Sequence, residues 1–126
     1  MEKMKGNGYS LTISPAGRLS FRIKGPGASA DVESQAMVND GQWHHAIVEA
    51  DREAKTLAVY LDGRKDASGP GVDTSVSLAN DGDVYVGGTP EGRFLDGTLD
   101  FLRIAHGTEP VRRAVFVLRH VKANGL

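Results

Sequence analysis

The chain contains no cysteine, which excludes disulfide bonds and thiolate metal centres. That absence leaves the compartment open, since many exported bacterial proteins also lack cysteine. No stretch approaches the ~18 consecutive apolar residues of a membrane-spanning helix. Aromatic residues make up only 6% of the sequence, and the formal net charge is −1. A chain so balanced has no global field to recruit nucleic acid or an anionic membrane. The opening MEKMKGNGYS is charged but lacks the apolar segment of a secretory signal. On sequence alone, the protein is therefore expected either to stay inside the cell or to be a mature or excised piece. No internal repeat and no low-complexity tract is found.

What is present suits many short strands and tight turns: 126 residues with 16 Gly and 5 Pro, enough for one domain with a real core. The organising stretch is Asp40–Arg64, DGQWHHAIVEADREAKTLAVYLDGR. Trp43, Ile47 and Val48 supply β-formers in short-period alternation up to Asp51. The charged run from Asp51 to Lys55 has no apolar rhythm and reads as a turn. Leu57, Val59 and Leu61 then face one way and Ala58 and Tyr60 the other, a strand of period two. Asp62-Gly63 closes it, because Gly accepts positive φ and Asp bonds its own backbone.

The sequence G-Q-W-H-H, a charged turn and a closing Y-L-D-G resemble the central hairpin of laminin G-like domains, in the concanavalin A-like lectin/glucanase superfamily. A second block agrees: Val84–Gly88, then Phe94, Gly97 and the run Leu99–Ile104, similar to the family's glycine-terminated strand, F-x-x-G-x-L-D and final hydrophobic strand. The resemblance spans residues 8–107 and lacks the family's usual opening strands. It implies an all-β, antiparallel two-sheet jelly-roll sandwich. It also implies a non-catalytic recognition or assembly module that binds carbohydrate or protein through rim loops, in an extracellular or cell-surface setting.

In chain order, residues 1–8 read as a flexible arm and 9–107 as the sandwich. Tyr9, Leu11 and Ile13 alternate with polar residues, and Leu19, Phe21 and Ile23 form the return strand after Pro15-Ala16-Gly17. Ala28–Glu33 is a weaker strand. Residues 66–71 read as a loop, Val72, Val76 and Leu78 as a short strand, and Val84–Gly87 as another. In the tail, 108–126, Val111, Ala114, Val115, Leu118 and Val121 fall at helical spacing. Pro110 stands near the start and Gly125 near the end, so a short amphipathic helix is expected, with a strand through Val115–Leu118 as the competing reading.

Three clusters invite chemistry. Glu49-Ala50-Asp51-Arg52-Glu53 matches E-x-D-x-E, the pattern of jelly-roll glycosidases that retain configuration. That chemistry needs two carboxylates ~5–5.5 Å apart on one sheet face. The strand must then continue through the motif with apolar residues between the acids, and Arg52 does not satisfy this. The alternation therefore predicts a solvated turn and no catalytic residue. His44 and His45 are adjacent on a strand and point to opposite faces, so they cannot chelate one ion without a bulge. One is expected in the core near Trp43, itself read as a core anchor, and the other at the surface. Calcium is the cation the resemblance implies, held at the rim by loop oxygens. Asn80, Asp81 and Asp83 are the candidate ligands with Asp73 nearby, although Asn, Asp and Gly are also what tight turns use. Asp100 is read as a backbone acceptor at a strand irregularity. A sandwich short of strands would leave apolar faces and backbone groups open. The gap is expected to be covered by a second copy of the chain, by a partner subunit or by the folded-back tail. The two functional alternatives are a glycoside hydrolase of the same fold and a structural subunit completed by other chains.

Overall fold

The structure, a computed structural model, describes residues 1–106 and 113–123, with the backbone alone for His106 and for the last stretch. The described residues form nine strands: β1 (Glu2–Lys5), β2 (Asn7–Ile13), β3 (Arg18–Gly25), β4 (Ala28–Met37), β5 (Trp43–Asp51), β6 (Thr56–Leu61), β7 (Arg64–Pro70), β8 (Gly97–His106) and β9 (Arg113–Ala123). They form two antiparallel sheets, one in the order β1-β2-β3-β4 and the other β7-β6-β5-β9-β8. No helix occurs among the described residues.

The core is the shared inner face of the two sheets. On β3 burial alternates with the pleat, so Leu19, Phe21 and Ile23 are enclosed while Arg18, Arg22 and Lys24 are exposed. Val48, Leu57 and Val59 meet them from the other sheet. Period-two patterning thus becomes a two-layer sandwich because each sheet hides its apolar face against the other.

The central hairpin forms as the alternation predicts, with Ala46 opposite Leu61, Val48 opposite Val59 and Asp51 opposite Thr56. Strand β5 ends at Asp51 and residues 52–55 turn. Asp62 and Gly63 both have positive φ, 51° and 84°, which is what a primed two-residue hairpin turn requires.

Several expectations are corrected. The arm at residues 2–5 is strand β1, paired to β2 with Lys3 opposite Tyr9. The loop expected at 66–71 is mostly β7, because the Asp62-Gly63 turn sends the chain straight back along β6. Pro70 is tolerated there at the end of an edge strand. Residues 72–78 and 84–87 are not strands, and only an isolated bridge joins Tyr85 to Glu2.

The tail helix is also overturned. Arg113–Ala123 is β9, inserted between β5 and β8, with Val48 opposite Phe116 and Leu102 opposite Leu118. The run Ala114–Leu118 is continuously apolar and rich in valine, whose branched Cβ favours extended backbone. Two waiting strand edges supply hydrogen bonds on both sides, and that tertiary pairing outweighs the coincidental helical spacing. The tail therefore does fold back over the gap, but as a strand. The helix ends expected at Pro110 and Gly125, with Val111, lie outside the described residues.

Candidate functional site

Each sequence candidate has a defined place. In the E-x-D-x-E segment, Ala50 is buried and Glu49 and Asp51 stand on the other face of β5, while Glu53 lies exposed in the turn. Asp51 accepts a hydrogen bond from Ala54 N at 2.9 Å, a turn-closing role. Arg52 folds against the connection after β7, donating to the carbonyls of Val72, Asp73 and Val76. Its guanidinium fastens residues 72–76 to the sandwich, and Val72 adds a buried side chain there. The third carboxylate of the motif has left the sheet.

The two histidines separate as the pleat demands. His44 has a side chain only 13% exposed and lies between two carboxylates. Its Nε2 stands 2.8 Å from Asp40 Oδ1 and its Nδ1 2.9 Å from Asp62 Oδ2. With an acceptor at each ring nitrogen, the protonated ring donates to both carboxylates, an arrangement that favours the imidazolium form. Burial opposes that charge, but the hydrogen bonds to Asp62 and Asp40 outweigh it and raise the His44 pKa. The same contact lowers the Asp40 pKa. At Asp62 burial acts upward, yet the bonds from His44 and from His45 N lower its pKa too. Trp43 is not a core anchor. It is 48% exposed at the start of β5.

The Asn80–Asp83 turn is already tied to a cation. Lys3 Nζ donates to Asn80 O at 3.1 Å, Asn80 Oδ1 at 3.3 Å and Gly82 O at 2.6 Å. Asn80 Nδ2 returns hydrogen bonds to Lys3 O and Asn7 O. Asp81 is paired with Lys5 at 2.8 Å, and Asp83 is exposed. The oxygens that converge here surround an ammonium, and the Asp81 carboxylate pairs with a second one. This arrangement does not fit calcium. Asp73 is engaged with Lys55 at 2.9 Å and with Ser75 N, contacts that hold its carboxyl well below the usual range. Among the described residues, no group of three or more His, Cys, Asp or Glu side chains stands close enough to hold a metal.

What the sequence reading missed is a groove of about 470 Å³ on the flank where β1 and β2 face β8. Its walls include Leu11 and Ile13 from β2, Leu99 from β8, and Tyr85, Phe94 and Leu95 from the connecting loop. That loop is closed by hydrogen bonds from Leu95 N to Gly87 O at 2.8 Å and from Gly92 N to Thr89 O at 2.9 Å. Phe94 is 77% exposed and lies back over Gly88, where a Cβ would come within 2.4 Å of its ring. Asn39 and Arg93 contribute polar groups to the same groove. Residues so far apart in the chain give no local pattern. The only sequence signal was the V-G-G…F segment of the second block.

The laminin G-like sequence model of the concanavalin A-like lectin/glucanases superfamily matches residues 1–108. The chain belongs to this family. No solved structure gives a significant match. The matched segment covers β1 to β8 and the whole groove, whereas β9 lies beyond it. In this laminin G-like domain the second sheet is thus completed by a strand from outside the matched segment.

Proposed function

We propose that the domain is a non-catalytic recognition module whose ligand seats in the groove beside Phe94. The observation that carries this reading is an apolar cleft rimmed by polar groups, with a large aromatic ring left standing at its mouth. Ligand sites are concave and mainly apolar with a few polar groups to fix orientation. The aliphatic walls from Leu11, Ile13, Leu95 and Leu99 favour an apolar side chain of a protein segment over a sugar. Phe94 and Tyr85 are the features that support carbohydrate as the second reading, by stacking. Hydrolysis is disfavoured by Glu53, which leaves the sheet, and by Arg52, whose guanidinium ties down the neighbouring connection. The extracellular or cell-surface setting that the family implies is part of this proposal.

The test screens the wild-type domain against a displayed-peptide library and a glycan array, and repeats each hit with Phe94→Ser. Because Phe94 is so exposed, that substitution changes stability by only about 0.5 kcal/mol. The expected result is peptide binding weakened about tenfold or more. Hits unaffected by the substitution overturn the groove as the site. Reducing-sugar release that disappears in Glu49→Gln overturns the non-catalytic reading.

A further inference from the structure

We propose that His44 is a pH-operated latch on the groove: its protonated ring pins Asp40, and the pin fixes the Asn39 wall against which a ligand lies. The latch acts on the ligand site proposed above and so rests on that reading.

Residues 38–42 connect β4 to β5 and separate two clefts. Asn39 lines the groove, while Met37 and His44, flanking the connection, line a second cleft with Asp62, Arg64 and Asp66. The connection is anchored at its start, where Val38 is buried and its N donates to Gly17 O at 2.7 Å. Asn39 follows, its side chain lying over Gly17 so closely that a Cβ there would collide with the amide. That amide brings a donor and an acceptor to the groove wall. Beyond it, the connection is tied across the rim through Asp40, whose Oδ1 stands 2.8 Å from His44 Nε2. A second bond to the same oxygen is local, from Gln42 N at 3.0 Å.

His44 holds this pin only while protonated. The neutral ring has one N–H and one lone pair, so it can donate to only one of its two carboxylates. Asp62 keeps the proton, because its turn is fastened to β5 independently. Its Oδ1 accepts from His45 N at 2.9 Å, and its N donates to His45 O at 2.8 Å. Nε2 then turns a lone pair towards the Asp40 carboxylate, and the two repel. The charged groups around the ring are Asp40 from the connection, Asp62 from the β6–β7 turn, and Arg64 and Asp66 from β7. Strand β9 adds Lys122 in register opposite Trp43, with Arg119 and His120 where the pairing shifts. Burial opposes the charge on His44, but the two carboxylates in hydrogen-bond contact outweigh it and raise the pKa above 6.5. The latch is closed below that raised value and opens as pH climbs through it.

Two measurements on the full chain test the latch separately from the groove. Nuclear magnetic resonance of isotope-labelled protein follows the His44 ring, the Asn39 side-chain amide and the Gly17 amide as pH rises. All three are expected to move with one midpoint in the wild type. In Asp40→Ala the Asn39 and Gly17 signals should no longer follow the ring. In His44→Gln, which cannot titrate there, they should stay flat, and circular dichroism checks that both variants remain folded. Signals that stay flat in the wild type, or that still follow the ring in Asp40→Ala, overturn the latch.

Nile red, an uncharged apolar fluorophore, then probes the groove, and Phe94→Ser identifies where it binds. Its wild-type affinity should fall about two- to fivefold across the His44 titration, the range of one exposed charge-assisted contact. In Asp40→Ala the affinity should hold the weaker value at every pH. Unchanged wild-type affinity of dye seated in the groove overturns the latch. Dye binding indifferent to Phe94→Ser overturns the groove as the site instead, and the resonance measurement still decides whether His44 moves the Asn39 wall.

Discussion

The two flanks of the sandwich are built from similar alternating strands and end differently. Where β4 meets β7, Asp66 Oδ2 reaches across to accept hydrogen bonds from Gln35 N at 2.5 Å and Ala36 N at 3.3 Å. The enclosed His44 sits on the same side, beside Met37 and Asp66. On the opposite flank β1 and β2 stand away from β8, and the space between them is the groove. Leu99 and Leu102 there are half-buried, and Phe94, Phe101 and Ile104 are exposed. Hydrophobicity alone does not decide burial. A strand's apolar face is enclosed only where the topology brings another layer over it, and the uncovered flank is where a partner can be received.

The largest expected effect tests that contrast directly. Phe21 is fully enclosed between the sheets, and Phe94 stands at the mouth of the groove. Phe21→Ala should lower the unfolding free energy by about 3–5 kcal/mol, from lost transfer energy and the cavity left behind. Phe94→Ala should change it by about 0.5 kcal/mol at most. Chemical denaturation of both variants measures the difference. Equal losses would mean that the open flank is as tightly packed as the core.

An intermediate effect sharpens the closed flank. The raised pKa of His44 contributes stability that is fully present below its ordinary value of 6.5 and is lost as pH rises through the raised value. The lowered pKa values of Asp40 and Asp62 contribute stability present above 3.8 and lost as pH falls through the lowered values. The cluster is therefore at full strength between those two ordinary values and weakens on either side. Both carboxylates are well solvated, which limits the whole contribution to about 1 kcal/mol. His44→Ala should flatten this part of the stability–pH curve, as urea midpoints across the range would show. An unchanged curve in the variant would remove His44 as its cause.

How much of this was legible depended on whether the signal was local. The hairpin from Trp43 to Leu61 could be read residue by residue, because alternation, charged turn and Asp-Gly turn all lie within one short stretch. The bracket around His44 was half-visible: Leu61 pairs with Ala46, so Asp62 must return beside the histidines. Strand β9 was misread because its valines satisfy a helical stripe as well as a strand, and the choice lay with the open edges of β5 and β8. The groove could not be read at all, since Leu11, Tyr85 and Leu99 meet only after both sheets have formed.

The smallest expected effect returns to the open flank and to the cation that holds its loop. Lys3 joins β1 to the Asn80–Gly82 turn through three oxygens, and Asn80 answers with two bonds to the backbone of residues 3 and 7. The ammonium thus supplies the positive charge that this turn requires from within the chain. Lys3→Met keeps most of the aliphatic stem and removes only the charge and its donors. The released oxygens are partly solvated, so the expected loss is about 0.5–1 kcal/mol. It should be confined to the β1 side, visible as faster amide exchange at Gly82 with the β5–β6 hairpin unchanged. Calcium added to the wild type should leave its thermal midpoint where it was, because the convergent oxygens already hold Lys3 and Asp81 is paired with Lys5. A midpoint that climbs with calcium, and climbs less in Asp81→Ala, would show that the ion can displace the lysine and would restore the turn as a metal site.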